Sequence, residues 1–306
     1  MLKVGRLIND APLRWSAAYK EFYRAVVELR LYDEFWQKNV PIPTPRREGT
    51  GVRVLSIGSG SGEVDSAILR KIMQNQSSVN LYSRVVEPSA ERLRDFKDLV
   101  QQDTSLSTVK FDWRQQTVEE YFSESDGAKF DLAHAIQVLY HVQDHHATLR
   151  NMWEQLADGG YLFALLLSGM LTKTNHQHTR IFADKIGQGE LQHEMWKWFP
   201  HENDRDRLQT SHITSGDVTR SLESMGISYV IAEVDVDINI AECYKEDSET
   251  GRLLLDFLTQ TSNVHAHPKM RSAVLEYCLR NSSMVDDKVL FKARNAAITA
   301  RKNTKK

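Results

Sequence analysis

Residues 52–65 read VRVLSIGSGSGEVD, and this stretch decides the fold. Val52, Val54, Leu55 and Ile57 make the apolar run that a buried strand requires. The run breaks into three alternating glycines, Gly58, Gly60 and Gly62, and then an acid, Glu63. Glycine lets a chain turn sharply and lets another molecule approach its backbone. The pattern G-x-G-x-G departs from the dinucleotide fingerprint G-x-G-x-x-G, and an acid at the helix entrance would repel a pyrophosphate. No Gly-Lys-Ser/Thr follows, so a phosphate-cradling loop is excluded too.

The next apolar run, in NLYSRVVEPS, ends at Glu87, 25 residues after Gly62. A carboxylate at the end of a second strand can accept hydrogen bonds from both hydroxyls of a ribose. A ligand with an adenosine, a cationic methionine portion and no phosphate suits both features. S-adenosylmethionine is such a ligand, and a class I methyltransferase is favoured over a nicotinamide enzyme.

Outward from this stretch, strands and helices alternate. A helix to about Met73, a strand ending at Glu87 and a helix over 90–100 precede the strand STVKFDW. The strand FDLAHAIQVLYHV (130–142), a helix over 144–157 and the strand GYLFALLLS follow. Such alternation predicts a parallel, doubly wound sheet covered on both faces. Upstream, 13–39 reads as one amphipathic helix, and PIPTPRREGTG as a proline-rich linker. Downstream, 170–211 reads as an insertion; ITSGDVTRSLESMG as a helix; ISYVIAEVDV as a strand; GRLLLDFLTQT and KMRSAVLEYCL as helices; and DDKVLFKARNAAITA as the last strand.

Composition narrows the class. The chain has 306 residues, 41% hydrophobic and 26% charged, with a formal net charge of -2, which does not favour a nucleic-acid partner. Only Cys243 and Cys278 occur, so no disulfide framework is expected and a reducing cytoplasm is the simplest home. The longest apolar run, YLFALLL, is far below the roughly 20 residues of a membrane span. His134, His141, His145 and His146 invite a metal reading, but no Cys or acid stands at ligand spacing, and no metal is expected.

The segments VLSIGSGSGEVD, VVEPSAE, VKFDW, IQVLYHVQDHHATL, LLLDFLTQT and KVLF, in this order, resemble the histamine N-methyltransferase family over nearly the whole chain. The resemblance implies a Rossmann-like class I methyltransferase: an α/β domain with a seven-stranded, mostly parallel sheet, helices on both faces and a substrate cap. It implies a cofactor site at Gly58, Gly60, Gly62, Glu87, Ile136 and Val118, beside Thr117, with Arg92 where the family has a ribose-binding glutamine. It implies a substrate site at Tyr19, Phe22, Glu28, Gln137, Tyr140, His141 and Tyr244, with Glu28 on the substrate's amine. Departures are Lys292-Ala293 where an asparagine is expected, Thr210 for a cysteine, and the absence of two tryptophans after Ser168-Gly169, Trp196 and Trp198 lying further along.

The expectation is a cytoplasmic, monomeric N-methyltransferase acting by positioning rather than by a catalytic acid or base, on a small histamine-like imidazole or amine. It is read as one domain: N-terminal helices 1–45, cofactor core 51–169, insertion 170–211, and C-terminal sheet and cap helices 212–306. Alternatives are a larger acceptor such as carnosine or another biogenic amine, and a protein that binds S-adenosylmethionine without catalysis.

Overall fold

The computed structural model describes residues 5, 7–27, 29–45, 51–76, 79–124, 126–168, 187–188, 191, 195 and 213–303. Glu28 and most of the expected insertion, including Trp196, Trp198 and Thr210, lie outside the described residues.

In chain order the elements are α1 (Leu7–Asp10), α2 (Pro12–Ala25), α3 (Leu29–Asn39), β1 (Val52–Ile57), α4 (Glu63–Asn75), β2 (Leu81–Val86), α5 (Ala90–Gln102), β3 (Lys110–Arg114) and α6 (Val118–Ser123). Then come β4 (Phe130–Ile136), α7 (His145–Glu154), β5 (Leu156–Leu167), α8 (Ser215–Ser224), β6 (Tyr229–Asn239), α9 (Glu249–Thr259), α10 (Pro268–Arg280), β7 (Ser282–Val285) and β8 (Lys288–Arg301). By its internal contacts the chain divides into two compact units.

The core unit comprises 36–166, 217–232 and 296–306. Its strand order is β3-β2-β1-β4-β5-β8-β6, where β8 contributes its last residues and β6 its first. The first five strands pair in parallel, with Val52 beside Leu81 and Val54 beside Leu132. Val54, Leu55, Leu132, Ala133 and the run Leu162–Leu166 are buried, as strands covered on both faces demand. Strand order reverses between β1 and β4, and in open α/β sheets ligands bind beyond the strand ends at such a reversal. The glycine turn leaves β1 at that place.

The second unit comprises 1–35, 167–216 and 233–295. Its core joins Ile238, Ile240, Leu254, Leu255, Leu258 and Phe291, with Phe22 and Tyr244 packed against it. Arg14 donates to the fully buried Asp256 at 2.6 Å, and the same carboxylate accepts from the backbone N–H groups of Asn263 and Val264 at 3.0 and 2.9 Å. This network ties α2 to α9.

Three sequence expectations are corrected. The helix expected over 13–39 is two helices, α2 and α3, because Val26 forms an antiparallel bridge with Ile238 and the Val27 N–H donates to the Asp237 carbonyl at 2.9 Å. Two adjacent β-branched residues thus take strand pairing over helix. The strand expected to reach Val142 stops at Ile136, since Gln137 turns left-handed at φ 52 and Leu139–His141 coil into a 3-10 turn. The C-terminal strand is also preceded by β7, an eighth strand beside the seven of the main path, which pairs antiparallel with β8 across Asp286-Asp287.

Candidate functional site

The three glycines of the turn all have positive φ, at 66, 58 and 85 for Gly58, Gly60 and Gly62. Their surroundings separate them. A Cβ on Gly58 would stand 2.2 Å from Val138, and one on Gly62 would stand 1.9 Å from the Phe96 ring. These two glycines permit close packing. A Cβ on Gly60 would meet nothing within 4 Å. Its open face is where a ligand can lie on the backbone.

That difference has a measurable consequence. Gly62→Ala should lower stability by about 1–3 kcal/mol or more, from overpacking on an aromatic ring plus a left-handed backbone. Gly60→Ala should cost only the backbone strain, about 1 kcal/mol, while obstructing the ligand face. Urea denaturation compares the two; equal losses would contradict the distinction.

Beside the turn, Glu87 is 4% exposed. Its Oε2 accepts from the Gly60 N–H at 2.9 Å, and its Oε1 accepts from the Ser89 N–H at 3.0 Å. Each carboxylate oxygen keeps a further lone pair, and the orientation is fixed from both sides. A diol fits such an acceptor pair. Ser89 then caps α5 by accepting from the Arg92 N–H at 3.3 Å, so Arg92 stands in the first turn after Glu87. Val118 opens α6 behind a capping box in which Thr117 and Glu120 each accept from the other's backbone N–H. Ile136 closes β4.

Past Ile136 the left-handed Gln137 directs its side chain to Tyr140, whose hydroxyl donates to Gln137 Oε1 at 3.3 Å. His141 meets the Tyr140 ring edge-on, centroids 4.4 Å apart. In the core unit, then, the expected cofactor residues and Gln137, Tyr140 and His141 follow the ends of β1, β2 and β4 or open the adjacent helices.

The second unit carries Tyr19, Phe22 and Tyr244. Tyr19 stacks on Trp15 with centroids 5.3 Å apart, and Phe22 packs on Phe257 at 4.4 Å. Tyr244 donates its hydroxyl to the Leu275 carbonyl at 3.0 Å, and burial pushes the phenol up. Its hydroxyl is committed, so the residue offers a ring much as a phenylalanine would.

One feature of the site escaped the sequence reading. Under the turn, Asp65 of α4 and His134 of β4 are both buried, with His134 Nε2 3.7 Å from Asp65 Oδ1. Desolvation raises Asp65 from 3.8 to about 7 and lowers His134 from 6.5 to about 4. Folded, the pair holds one proton on Asp65 between about pH 4 and 7; unfolded, it holds one on the histidine over nearly the same range. The two contributions therefore oppose each other, and the native pair adds little pH dependence. Removing either partner exposes the other. Asp65→Asn leaves a histidine with a depressed pKa, so stability should rise with pH from about 4 to 6.5. His134→Gln leaves an acid with a raised pKa, so stability should fall as pH rises from 3.8 to about 7. Each slope approaches about 1.4 kcal/mol per pH unit. Parallel stability–pH curves for wild type and both variants would contradict this.

A family model described as a methyltransferase domain matches residues 19–230. Histamine N-methyltransferase of Cavia porcellus is 31% identical over 271 residues, covering 86% of this chain and 86% of that protein. Histamine N-methyltransferase A of Xenopus laevis is 32% identical over 265 residues, covering 85% of this chain and 83% of that one. The chain belongs to the histamine N-methyltransferase family. The fold agrees independently: the crystal structure of YcgJ from Bacillus subtilis superposes with a TM-score of 0.53 at 13% identity, covering 84% of this chain and 94% of that one. As a member of the histamine N-methyltransferase family, the protein is a methyltransferase whose cofactor is S-adenosylmethionine. The turn fits that cofactor, with an open backbone face at Gly60, a fixed diol acceptor at Glu87, and acids in the first turn of α4 where a phosphate would otherwise sit.

Proposed function

We propose that this protein transfers the methyl group of S-adenosylmethionine to a nitrogen of a small histamine-like amine. The observation that carries the reading is the buried Glu87, held by Gly60 and Ser89 beside the one glycine of the turn with an open face. The cofactor supplies an electrophilic methyl on a sulfonium sulfur. Everything else is positioning, which is worth up to about 7–11 kcal/mol in favourable intramolecular reactions. Glu87 holds the ribose hydroxyls, with Gly58, Gly60 and Gly62 shaping the turn and Arg92, Val118 and Ile136 beside it.

Glu28 holds the substrate's ammonium, and Tyr19, Phe22 and Tyr244 offer aromatic faces that tolerate a cation. Gln137, steadied by Tyr140, accepts the ring's N–H at its amide oxygen and so leaves the lone pair of the other ring nitrogen for the methyl. As the C–S bond breaks and the C–N bond forms, the ring gains a positive charge. Its surplus proton passes to His141 or to water.

Lys292 favours a second reading. It stands where the resemblance expects an asparagine, its ammonium 3.7 Å from Asp235. A cation at that position suits a larger imidazole with a carboxylate, such as carnosine, over a plain amine. Among the described residues no helix is long and apolar enough to cross a membrane. The free cysteines Cys243 and Cys278 are buried. We take the enzyme to be a cytoplasmic monomer.

Glu28→Gln tests the assignment of the substrate's cation. KM for the amine should rise at least about tenfold with KM for the cofactor unchanged, since a charged hydrogen bond contributes about 1.5–3 kcal/mol. An unchanged amine KM would remove Glu28 from the site.

A further inference from the structure

Successive residues of the glycine turn are held from opposite ends. Gly60 donates its N–H outward to Glu87 at 2.9 Å. Ser59 turns its hydroxyl inward and donates to Ser56 Oγ at 2.7 Å, and the two hydroxyls lie near enough to the carboxylate of Asp65, which is 5% exposed, to favour its ionised form. Behind Asp65 stands His134, 2% exposed, and the parallel register of β1 and β4 places it alongside Ser56. The turn, β1, α4 and β4 each contribute one polar side chain, in elements whose Ile57, Ile68, Leu69 and Ala133 are buried.

Packing does not require this arrangement. Asp65 Oδ1 is buried with no hydrogen-bond partner, and an orphaned buried acceptor costs about 1–3 kcal/mol. Apolar side chains of similar volume would avoid that cost. What the polar chain does achieve is to anchor Ser59, the residue directly before the open Gly60. Burial also raises the acid, so near neutrality Asp65 can carry a proton on the oxygen that faces His134, while Ser59 donates to Ser56 and leaves the Ser56 proton free to turn toward the acid.

We propose that Ser59, Ser56 and Asp65, backed by His134, form a positioning relay that fixes the Gly60 backbone against Glu87 for the adenosyl cofactor. The inference rests on the reading that the cofactor lies at Gly60 and Glu87. Asp65 touches no ligand; it acts through the serines. Ser59 is the sensitive link, because its loss detaches the turn from the relay without opening the core.

The test is calorimetric titration of the full-length protein with S-adenosylhomocysteine, which binds without turnover, alongside thermal denaturation. Ser59→Ala and Asp65→Leu should each raise Kd about fivefold or more, the equivalent of one net hydrogen bond at ~1 kcal/mol. Asp65→Asn keeps an acceptor toward Ser56 and a donor toward His134, so its Kd should stay within about twofold of wild type. Ser59 is partly exposed, and its alanine variant should melt within about 2 °C of wild type. Asp65→Leu serves only if it folds; Ser59→Ala and Asp65→Asn decide without it. A Ser59→Ala protein that binds as tightly as wild type, or an Asp65→Asn protein several-fold weaker, overturns the relay. Wild-type protein that shows no binding would instead overturn the functional reading, and the relay with it.

Discussion

Glu87→Ala is expected to raise the Kd for S-adenosylhomocysteine by about a hundredfold or more while the fold survives. Two hydrogen bonds from a ribose to an ionised acceptor contribute about 1.5–3 kcal/mol each, and the alanine removes both. It also releases the N–H groups of Gly60 and Ser89, which loosens the turn. Glutamine does not rescue the site. Both carboxylate oxygens accept from backbone N–H groups, so an amide must set its NH2 against one of those donors. Glu87→Gln should therefore lose most of the affinity as well. Calorimetry on both variants, with circular dichroism to confirm folding, decides; a Glu87→Gln protein with wild-type affinity would place the ribose elsewhere.

The largest loss of stability should follow Asp256→Ala, at about 3–5 kcal/mol. The substitution leaves the Arg14 guanidinium without its buried partner and strands the N–H groups of Asn263 and Val264. Against a total stability of about 5–15 kcal/mol, such a loss would unfold a large share of molecules well below the wild-type midpoint. Arg14→Ala should cost less, because it removes the cation while the carboxylate keeps both backbone donors. Urea midpoints measured on the two variants check the ordering, and a milder Asp256→Ala would contradict it.

Where the sequence was readable, the cause was local. β1, the glycine turn and α4 follow from an apolar run, three glycines and a 3.6-residue period within 24 residues, and Glu87 marks its own strand end. Readability failed where a distant partner decides the outcome. Nothing between Leu13 and Asn39 says that Val26 and Val27 will pair with β6, more than 200 residues away. Gln137 has no local reason to turn left-handed; its N–H is drawn to the Leu165 carbonyl of the neighbouring strand, at 2.7 Å. β7 is four residues long and exists through its hairpin with β8.

The candidate site divides in the same way. Sequence pattern singled out all three glycines without saying that Val138 and Phe96 account for two of them. By sequence, Asp65 is one of two acids in the first turn of a helix, where the dipole favours them. Only the sheet register and the burial of His134 reveal it as a member of an internal polar chain.

The most direct test of the central claim is a methyl-transfer assay with labelled S-adenosylmethionine, wild-type protein, and a panel of histamine, histidine, carnosine and aliphatic amines. The account predicts label on an imidazole of the panel, at a rate that falls sharply in Glu87→Ala. Protein that binds S-adenosylhomocysteine yet labels no member of the panel would contradict it.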